Sequence, residues 1–242
     1  MPAMSSAPSD ARQYRWFPAV TAVFVTALIV SNIVAVKLIR LGPFTLTGAV
    51  LIFSVSYIFG DVLTEVYGYA RARQVIWIGF ACNLLAVLAF YSAGRLPASP
   101  DWALPGFEAP SAAQAAYDAI LGLTPLILLA SFVAYLAGEF LNSYVLARMK
   151  VLTAGRWLWS RTIASTFVAQ VADTGLFVGI LVVGRLISPE AALPTILGEW
   201  LSKVLYEVIA TPVTYRIVNF LKRAENEDYY DRETDFNPLR LA

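Results

Sequence analysis

The chain has 242 residues, of which 58% are hydrophobic and 14% are charged, and its net charge is +1. Because about 25% of the residues in an average soluble domain are charged, this composition argues against a soluble protein, and the low net charge argues against a nucleic-acid-binding one. The sequence has no histidine, which excludes His-based metal sites and Ser-His-Asp or Cys-His catalysis, so we expect neither a metal nor a cofactor.

Six apolar stretches are long enough to cross a membrane, since a bilayer core of roughly 30 Å needs about 20 apolar residues in a helix. The sequence therefore predicts an all-α, polytopic transmembrane helical bundle. The predicted spans are residues 16–36, 47–67, 74–94, 119–146, 162–184 and 193–221. The sixth span is the most polar, and Pro212 near its end predicts a kink or a break.

The basic residues are divided unequally between the two predicted sides of the membrane. The side that carries both termini has thirteen Lys and Arg residues, and the other side has four. Because basic residues accumulate in cytoplasmic loops, we predict that both termini are cytoplasmic and that residues 96–118 form an external loop. Residues 1–15 and 222–242 are predicted to be polar cytoplasmic tails that flank a membrane domain, residues 16–221. The first span is too long for a signal peptide and lacks a convincing cleavage site, so we expect it to be retained.

Charged residues inside the predicted spans are the main indication of function, because each costs about 2.5 to 3.5 kcal/mol on insertion scales. Asp61 and Glu65 are four residues apart and lie on one face of the second span. A cation, a solute or a proton would relieve the repulsion between them, so the pair is a candidate binding site. The alternative is that both lie at the cytoplasmic end and contact Arg71, Arg73 or lipid headgroups.

Asp173 lies close to the middle of the fifth span, with eleven uncharged residues on each side. Thr166 and Gln170 precede it on the same helical face, and this polar stripe must point into the bundle because lipid offers no hydrogen-bond partners. We interpret Asp173 and Gln170 as candidate solute-binding residues. The alternative is an interhelical hydrogen-bond clamp, which contributes only about 1 kcal/mol.

The sixth span carries Glu199, Lys203 and Glu207 at four-residue intervals, which places one cation between two carboxylates on the same face. Two interpretations stay open. The three groups form a self-contained ladder, or Lys203 pairs with an acid from another helix and leaves one carboxylate free for a solute.

Further polar and aromatic residues extend the set of candidates. Glu139 and Asn142 are three residues apart in the fourth span and form a polar patch. Tyr57, Tyr67 and Trp77 are candidates for stacking on a flat ring, although aromatic residues in membrane helices are more often interfacial or packed. A coupled carrier with a solute site between helices at mid-depth is the simplest class that fits these residues.

Several stretches together resemble the YhhQ family of queuosine precursor transporters, which are integral membrane proteins of the vitamin uptake transporter type. The most specific is FGDVLTEVYG at residues 59–68, followed by ARAR and by IWIGF in the next helix. Further similar stretches are NS at 142–143, RTIAST at 161–166, KVLYE at 203–207, TPVTY at 211–215, DYYD at 228–231 and FNP at 236–238. The resemblance covers residues 17–238.

This resemblance implies import of a 7-deazaguanine precursor of queuosine, chiefly 7-cyano-7-deazaguanine, through the bacterial inner membrane for salvage into tRNA. A guanine-like edge offers two parallel donors to a carboxylate and a carbonyl to a donor. The predicted acceptors are, in order, Asp173, Glu65, Asp61 and Glu207; the predicted donors are Gln170, Asn142 and Lys203; the predicted stacking residues are Tyr67 and Trp77.

Three other functions stay open at this point. The chain could be the membrane subunit of an ATP-energised vitamin-type import complex, or a carrier for another purine-like solute. An intramembrane enzyme with paired carboxylates as acid and base is disfavoured, because the sequence has no histidine and no recognisable nucleophile motif. Energy coupling and homodimer formation do not follow from the sequence.

Overall fold

Helices make up most of the described chain. The computed structural model describes residues 13–41, 44–122 and 125–240. The helices within these ranges are α1 (Phe17–Val34), α2 (Ala49–Tyr67), α3 (Tyr69–Arg95), α4 (Pro110–Leu121), α5 (Pro125–Leu152), α6 (Leu158–Val183) and α7 (Pro189–Glu225). An antiparallel hairpin of two short strands, β1 (Leu38–Leu41) and β2 (Phe44–Thr47), connects α1 to α2.

The helical fold class is confirmed, and five segments have the length and apolar composition of membrane spans. These segments are α1, α2, α3, α6 and the stretch that contains α5. The sixth predicted span corresponds to α7, which has 37 residues and is therefore about 55 Å long at 1.5 Å per residue. α7 differs in composition from the five apolar segments, because it carries the charged residues Glu199, Lys203 and Glu207.

Three local features differ from the sequence predictions. The hairpin was not predicted, because four-residue strands leave too little hydrophobic alternation to recognise. The predicted fourth span began at residue 119, but residues 110–121 form the separate helix α4 and α5 begins at Pro125. A break at Pro212 was also wrong, because α7 continues through Pro212 to Glu225.

α2 is the central helix of the bundle, since it packs against α1, α3, α5 and α7. Thirteen of its 19 residues are buried, and these include Asp61 and Glu65. α5 packs along α6, and α6 packs along α7. These neighbours surround the polar face of α2, so its carboxylates face protein and are shielded from lipid.

The two ends of the described chain lie at the same end of the bundle. Tyr14 Oη donates to Glu227 at 2.7 Å, and the backbone N–H of Trp16 donates to Glu225 at 2.6 Å. We call this end of the molecule the tail end and the opposite end, where β1 and β2 lie, the hairpin end. The fold is therefore consistent with the prediction that both termini lie on the same side of the membrane.

Residues 226–240, which we call the C-terminal segment, fold back against the bundle. Asp231 accepts from the backbone N–H of Tyr69 at 3.0 Å, which satisfies a free donor at the start of α3. Arg73 donates to the carbonyl oxygens of Asp235 and Asn237. Gly68 has φ +86°, and any side chain there would overlap the ring of Tyr229. The segment predicted from its charge as a tail therefore has specific contacts with α2 and α3.

Candidate functional site

A cavity with several polar side chains in its wall lies between the helices toward the hairpin end. Its volume is about 130 Å³ and it is partly open to solvent, so in this state it is smaller than the roughly 300–1,000 Å³ typical of small-molecule sites. α1, α2, α3, α5, α6 and α7 all contribute to its wall. Its polar lining includes Asn32, Asn83, Asp173, Thr174, Glu199 and Lys203, and its aromatic lining is Phe53, Tyr135 and Phe177.

An ion pair between α6 and α7 is the main charged feature of this cavity. Lys203 Nζ donates to Asp173 Oδ2 at 2.8 Å and lies 3.9 Å from Glu199 Oε2. The two side chains of the pair are only 12% and 8% exposed, so both charges are largely removed from water. Lys203 Nζ also lies 5.0 Å from the ring centre of Phe53. Of the two interpretations of the sixth span, pairing of Lys203 with an acid from another helix is the one that the contacts support.

An amide pair on the other wall of the cavity was not predicted. Asn32 Nδ2 donates to Asn83 Oδ1 at 2.8 Å, which joins α1 to α3. Each residue leaves further amide hydrogen-bonding groups for a bound molecule. A single amide in an otherwise apolar span was the sequence signal that could have identified both residues. Their partners in the cavity, the rings of Phe53, Tyr135 and Phe177, carried no signal because apolar residues are common throughout the spans.

A narrow extension adjoins the cavity on the side of the bundle centre, and it has no room for a water molecule. It shares Phe53 and Lys203 with the cavity and reaches Tyr57, Thr166, Gln170 and Glu207. The structure thus brings together four of the predicted site residues, Asp173, Gln170, Lys203 and Glu207. Asp173 lines the cavity, Gln170 and Glu207 line its narrow extension, and Lys203 lines both.

Asp61 and Asn142 form a separate buried pair. Asn142 Nδ2 donates to Asp61 Oδ1 at 2.6 Å, and both side chains are inaccessible to solvent. Glu139, one helical turn before Asn142, is also fully buried. Within the described ranges, no group of three or more Asp, Glu or Cys residues is arranged to hold a metal ion.

Glu65 lies in a cluster of charges at the tail end, which we call the ionic cluster. Arg161 donates to both of its carboxylate oxygens at 2.8 Å, and Lys222 Nζ donates to Oε1 at 2.5 Å. Lys150 Nζ lies 3.5 Å from the same oxygen. Lys150 and Lys222 also contact Asp228 at 2.6 and 2.8 Å.

The ionic cluster extends into the C-terminal segment through Asp228. Partial burial raises the pKa of the Asp228 carboxyl, but the hydrogen bonds from Lys150 and Lys222 outweigh that effect and hold the pKa below its usual value.

The alternative interpretation of the sequence named Arg71 and Arg73 as the cations beside Glu65. That alternative was wrong about the partners, because the cations in contact with Glu65 come from α5, α6 and α7.

Tyr67 and Trp77 lie at the tail end and do not line the cavity. Tyr67 Oη donates to Glu225 at 3.4 Å, and its ring meets the rings of Tyr14 and Phe17. Trp77 Nε1 donates to the carbonyl oxygen of Pro238 at 2.8 Å. The structure therefore does not bring the two predicted stacking residues to Asp173.

Gly138 allows α5 to lie against the ion pair. A methyl group at position 138 would lie 2.8 Å from Tyr57 Oη and 2.9 Å from Asp173 Cβ. We therefore expect Gly138→Ala to lower the free energy of unfolding by about 1–3 kcal/mol, because packed interiors tolerate added methyl groups poorly. The measurement is heat-induced unfolding of the purified protein.

The matched control for this substitution is Gly175→Ala on α6, where a methyl group would meet no atom within 4 Å. Since alanine favours a helix over glycine by up to about 1 kcal/mol, the control should be neutral or slightly stabilising. Equal unfolding temperatures for the two variants would contradict the close approach at Gly138.

Comparison with known proteins gives a family and a relative. Residues 47–217 match the family model described as "Putative vitamin uptake transporter". A protein of Bacillus subtilis (strain 168) named "Probable queuosine precursor transporter" is 30% identical over 193 residues, which cover 78% of this chain and 79% of that protein. No solved structure matches significantly. The residues of the family match include both members of the cavity ion pair, Asp173 and Lys203.

Proposed function

We propose, because the chain belongs to the vitamin uptake transporter family, that it imports a 7-deazaguanine precursor of queuosine, chiefly 7-cyano-7-deazaguanine, across the bacterial inner membrane. Membership of this family and the apolar helices identify a multi-pass membrane transporter. The choice of solute follows the name of the Bacillus relative together with the chemistry of the cavity. Salvage of the imported solute into tRNA is part of the same proposal.

The observation that carries the proposal is the Asp173–Lys203 ion pair in the cavity wall. A guanine-like edge presents a ring N–H beside an exocyclic amine, and one carboxylate can accept both, which is the role we propose for Asp173. The adjacent ring carbonyl is an acceptor for the Lys203 ammonium group. The ring of Phe53, which already lies beside Lys203, offers a face for the flat solute.

The two ends of the bundle fit a carrier with one open and one closed side. The cavity lies toward the hairpin end, whereas the ionic cluster joins α2, α5, α6 and α7 at the tail end. The distribution of basic residues assigns the tail end to the cytoplasm. In this proposal the structure is the outward-facing state, and separation of the ionic cluster opens the path to the cytoplasm.

The test is uptake of labelled 7-cyano-7-deazaguanine by bacterial cells that cannot synthesise it, with queuosine in tRNA as a second readout. Cells that express the protein should accumulate the label and restore queuosine. Unlabelled guanine, which has the same hydrogen-bonding edge, should compete better than adenine, which lacks the ring N–H donor and the carbonyl. Absence of uptake by correctly inserted protein would overturn the solute assignment.

A second arm of the experiment separates a carrier from the subunit of an ATP-energised complex. The purified protein is placed alone in lipid vesicles, and exchange of labelled for unlabelled solute across the vesicle membrane is measured. A carrier exchanges solute without another protein. Exchange that appears only after addition of an ATPase partner would contradict the proposal.

A further inference from the structure

Three buried carboxyl groups lie between the cavity and the ionic cluster, and the proposed solute site does not use two of them. Glu139 on α5 and Asp61 on α2 are fully buried, and Glu207 on α7 is 2% exposed. Glu207 reaches the narrow extension of the cavity, whereas Glu139 and Asp61 line neither space. A membrane interior would not retain such groups without a role or a partner.

These groups lack the partners that a buried carboxylate requires. Neither oxygen of Glu139 has a hydrogen-bond partner, and Asp61 Oδ2 and Glu207 Oε1 have none either, among the described residues. Asn142 donates one hydrogen bond to Asp61, at Oδ1. Of the three groups, Glu139 would therefore be the most costly to ionise, because neither of its oxygens has a hydrogen-bond donor among the described residues.

The nearby cations are engaged elsewhere. Lys203 is paired with Asp173, and Lys150, Arg161 and Lys222 are paired with Glu65. In the part of the chain that the structure describes, no Lys or Arg lies within 4 Å of the carboxylate of Glu139, Asp61 or Glu207. A buried carboxyl group in this position is stable when a proton occupies it.

Glu139 occupies the contact between α2, α5 and α6. A methyl group at position 60 would lie 3.1 Å from Glu139 Oε2, so the side chain of Glu139 is directed at the backbone of α2 beside Asp61. On the other side, Gly138 packs against Asp173 of α6. Glu139 thus lies between the acid of the solute site and a second buried acid.

The ionisable groups that face Glu139 are all acidic or phenolic. They are Tyr57 and Asp61 from α2, Tyr135 from its own helix and Asp173 from α6. From α7, the carboxyl group of Glu207 interacts electrostatically with that of Asp61. Because Asp173 is paired with Lys203 and no cation contacts Glu139 among the described residues, a negative charge on Glu139 would face acidic neighbours without compensation, which favours a proton on Glu139.

We propose that Glu139, with Asp61 beside it, is a proton-binding site that couples solute entry to inward proton movement. Glu139 is fully buried in this structure, so in the proposed cycle helix movements let it take a proton from water on the hairpin side and release that proton to water on the tail side. No bond other than the O–H bond forms or breaks. The coupling rests on the proposed transport function, whereas the proton site does not.

The proton site is tested by infrared spectroscopy of the purified protein in lipid bilayers near neutral pH. A protonated carboxyl group has a C=O stretching band that an ionised carboxylate lacks. The wild-type protein should show this band, and Glu139→Gln should lose intensity there. Glu139→Asp, which keeps an acid, should shift the band, so a folding defect in one variant does not prevent the assignment. Loss of ionised-carboxylate bands in Glu139→Gln would instead overturn the proposal.

The coupling is tested by measuring uptake of labelled 7-cyano-7-deazaguanine into vesicles whose membrane contains the protein. With the membrane potential held at zero by a potassium ionophore and equal potassium on both sides, and with the outside one pH unit more acidic, one proton per solute supports about tenfold accumulation, because the two gradients then have equal free energy. A protonophore should abolish it. Glu139→Gln, a permanent mimic of the protonated state, should lose this accumulation and retain solute exchange. Wild-type accumulation that ignores the pH gradient would refute coupling, and failure of all exchange would refute the transport function while the infrared result still decides the proton site.

Discussion

Asp173→Asn is expected to lower uptake of 7-cyano-7-deazaguanine by on the order of 100-fold or more. In the proposed site the carboxylate accepts two hydrogen bonds from the solute, and hydrogen bonds to a charged group contribute about 1.5–3 kcal/mol each, where 1.4 kcal/mol corresponds to a factor of ten. An asparagine side chain has one acceptor oxygen, and its NH₂ group, which is itself a donor, would face the second donor of the solute. The measurement is initial uptake rate at equal amounts of protein in the membrane.

The control for this variant is Asp101→Asn, which makes the same chemical change at an exposed position between α3 and α4. It should leave uptake unchanged. The Asp173→Asn variant also leaves Lys203 largely buried without its partner, and this alone could reduce uptake. The double variant Asp173→Asn with Lys203→Met removes both charges. Recovery of uptake in the double variant would show that Asp173 only neutralises Lys203, whereas uptake by the double variant below that of Lys203→Met alone supports direct contact of Asp173 with the solute.

The five long apolar helices were predictable because a membrane-spanning helix has a simple requirement. A helix that crosses the bilayer must be apolar for about 20 residues, and this constraint is visible in one sequence without any knowledge of packing. α7 shows the limit of this signal. Its three charged residues make it unlike the other spans in composition, and only its partners explain how it tolerates them: Lys203 pairs with Asp173 of α6.

The candidate site was predicted in part, and the failures have a common physical reason. Periodicity along one helix placed Asp173 and Gln170 on an inward face, and Asp173 lines the cavity while Gln170 lines its narrow extension. Periodicity does not show which helices are neighbours. It therefore could not tell that Tyr67 and Trp77 contact the two ends of the chain, or that Asn32 and Asn83 meet across the cavity.

Asp61 and Glu65 illustrate the same point over a distance of one helical turn. The sequence treated them as a pair with a shared role, because four-residue spacing places them on one face of α2. The fold separates their surroundings. Glu65 meets cations from α5, α6 and α7, whereas the one side chain that hydrogen-bonds to Asp61 within the described ranges is Asn142. Residues that are distant in sequence therefore determine which of the two carboxylates has cations beside it.

Glu65→Gln is expected to destabilise the protein severely, by about 3–5 kcal/mol, and to reduce the amount of folded protein in the membrane. The glutamate side chain is fully buried and contacts three cations, Lys150, Arg161 and Lys222. Removing one partner of a buried ion pair leaves uncompensated charge, which accounts for the size of the effect. Heat-induced unfolding of the purified protein gives the comparison, and Glu233→Gln, at an exposed position in the C-terminal segment, is the matched control.

A second substitution distinguishes this structural role of Glu65 from the solute contact that the sequence suggested. Lys222→Met in the Glu65→Gln background removes one of the uncompensated cations, and Lys222 is the most exposed of the three, at 20%. If the ionic cluster holds the tail end together, the double variant should regain part of the lost stability, because less charge is left unpaired. A Glu65→Gln protein that unfolds at the wild-type temperature and fails only in uptake would contradict this role and return Glu65 to the solute site.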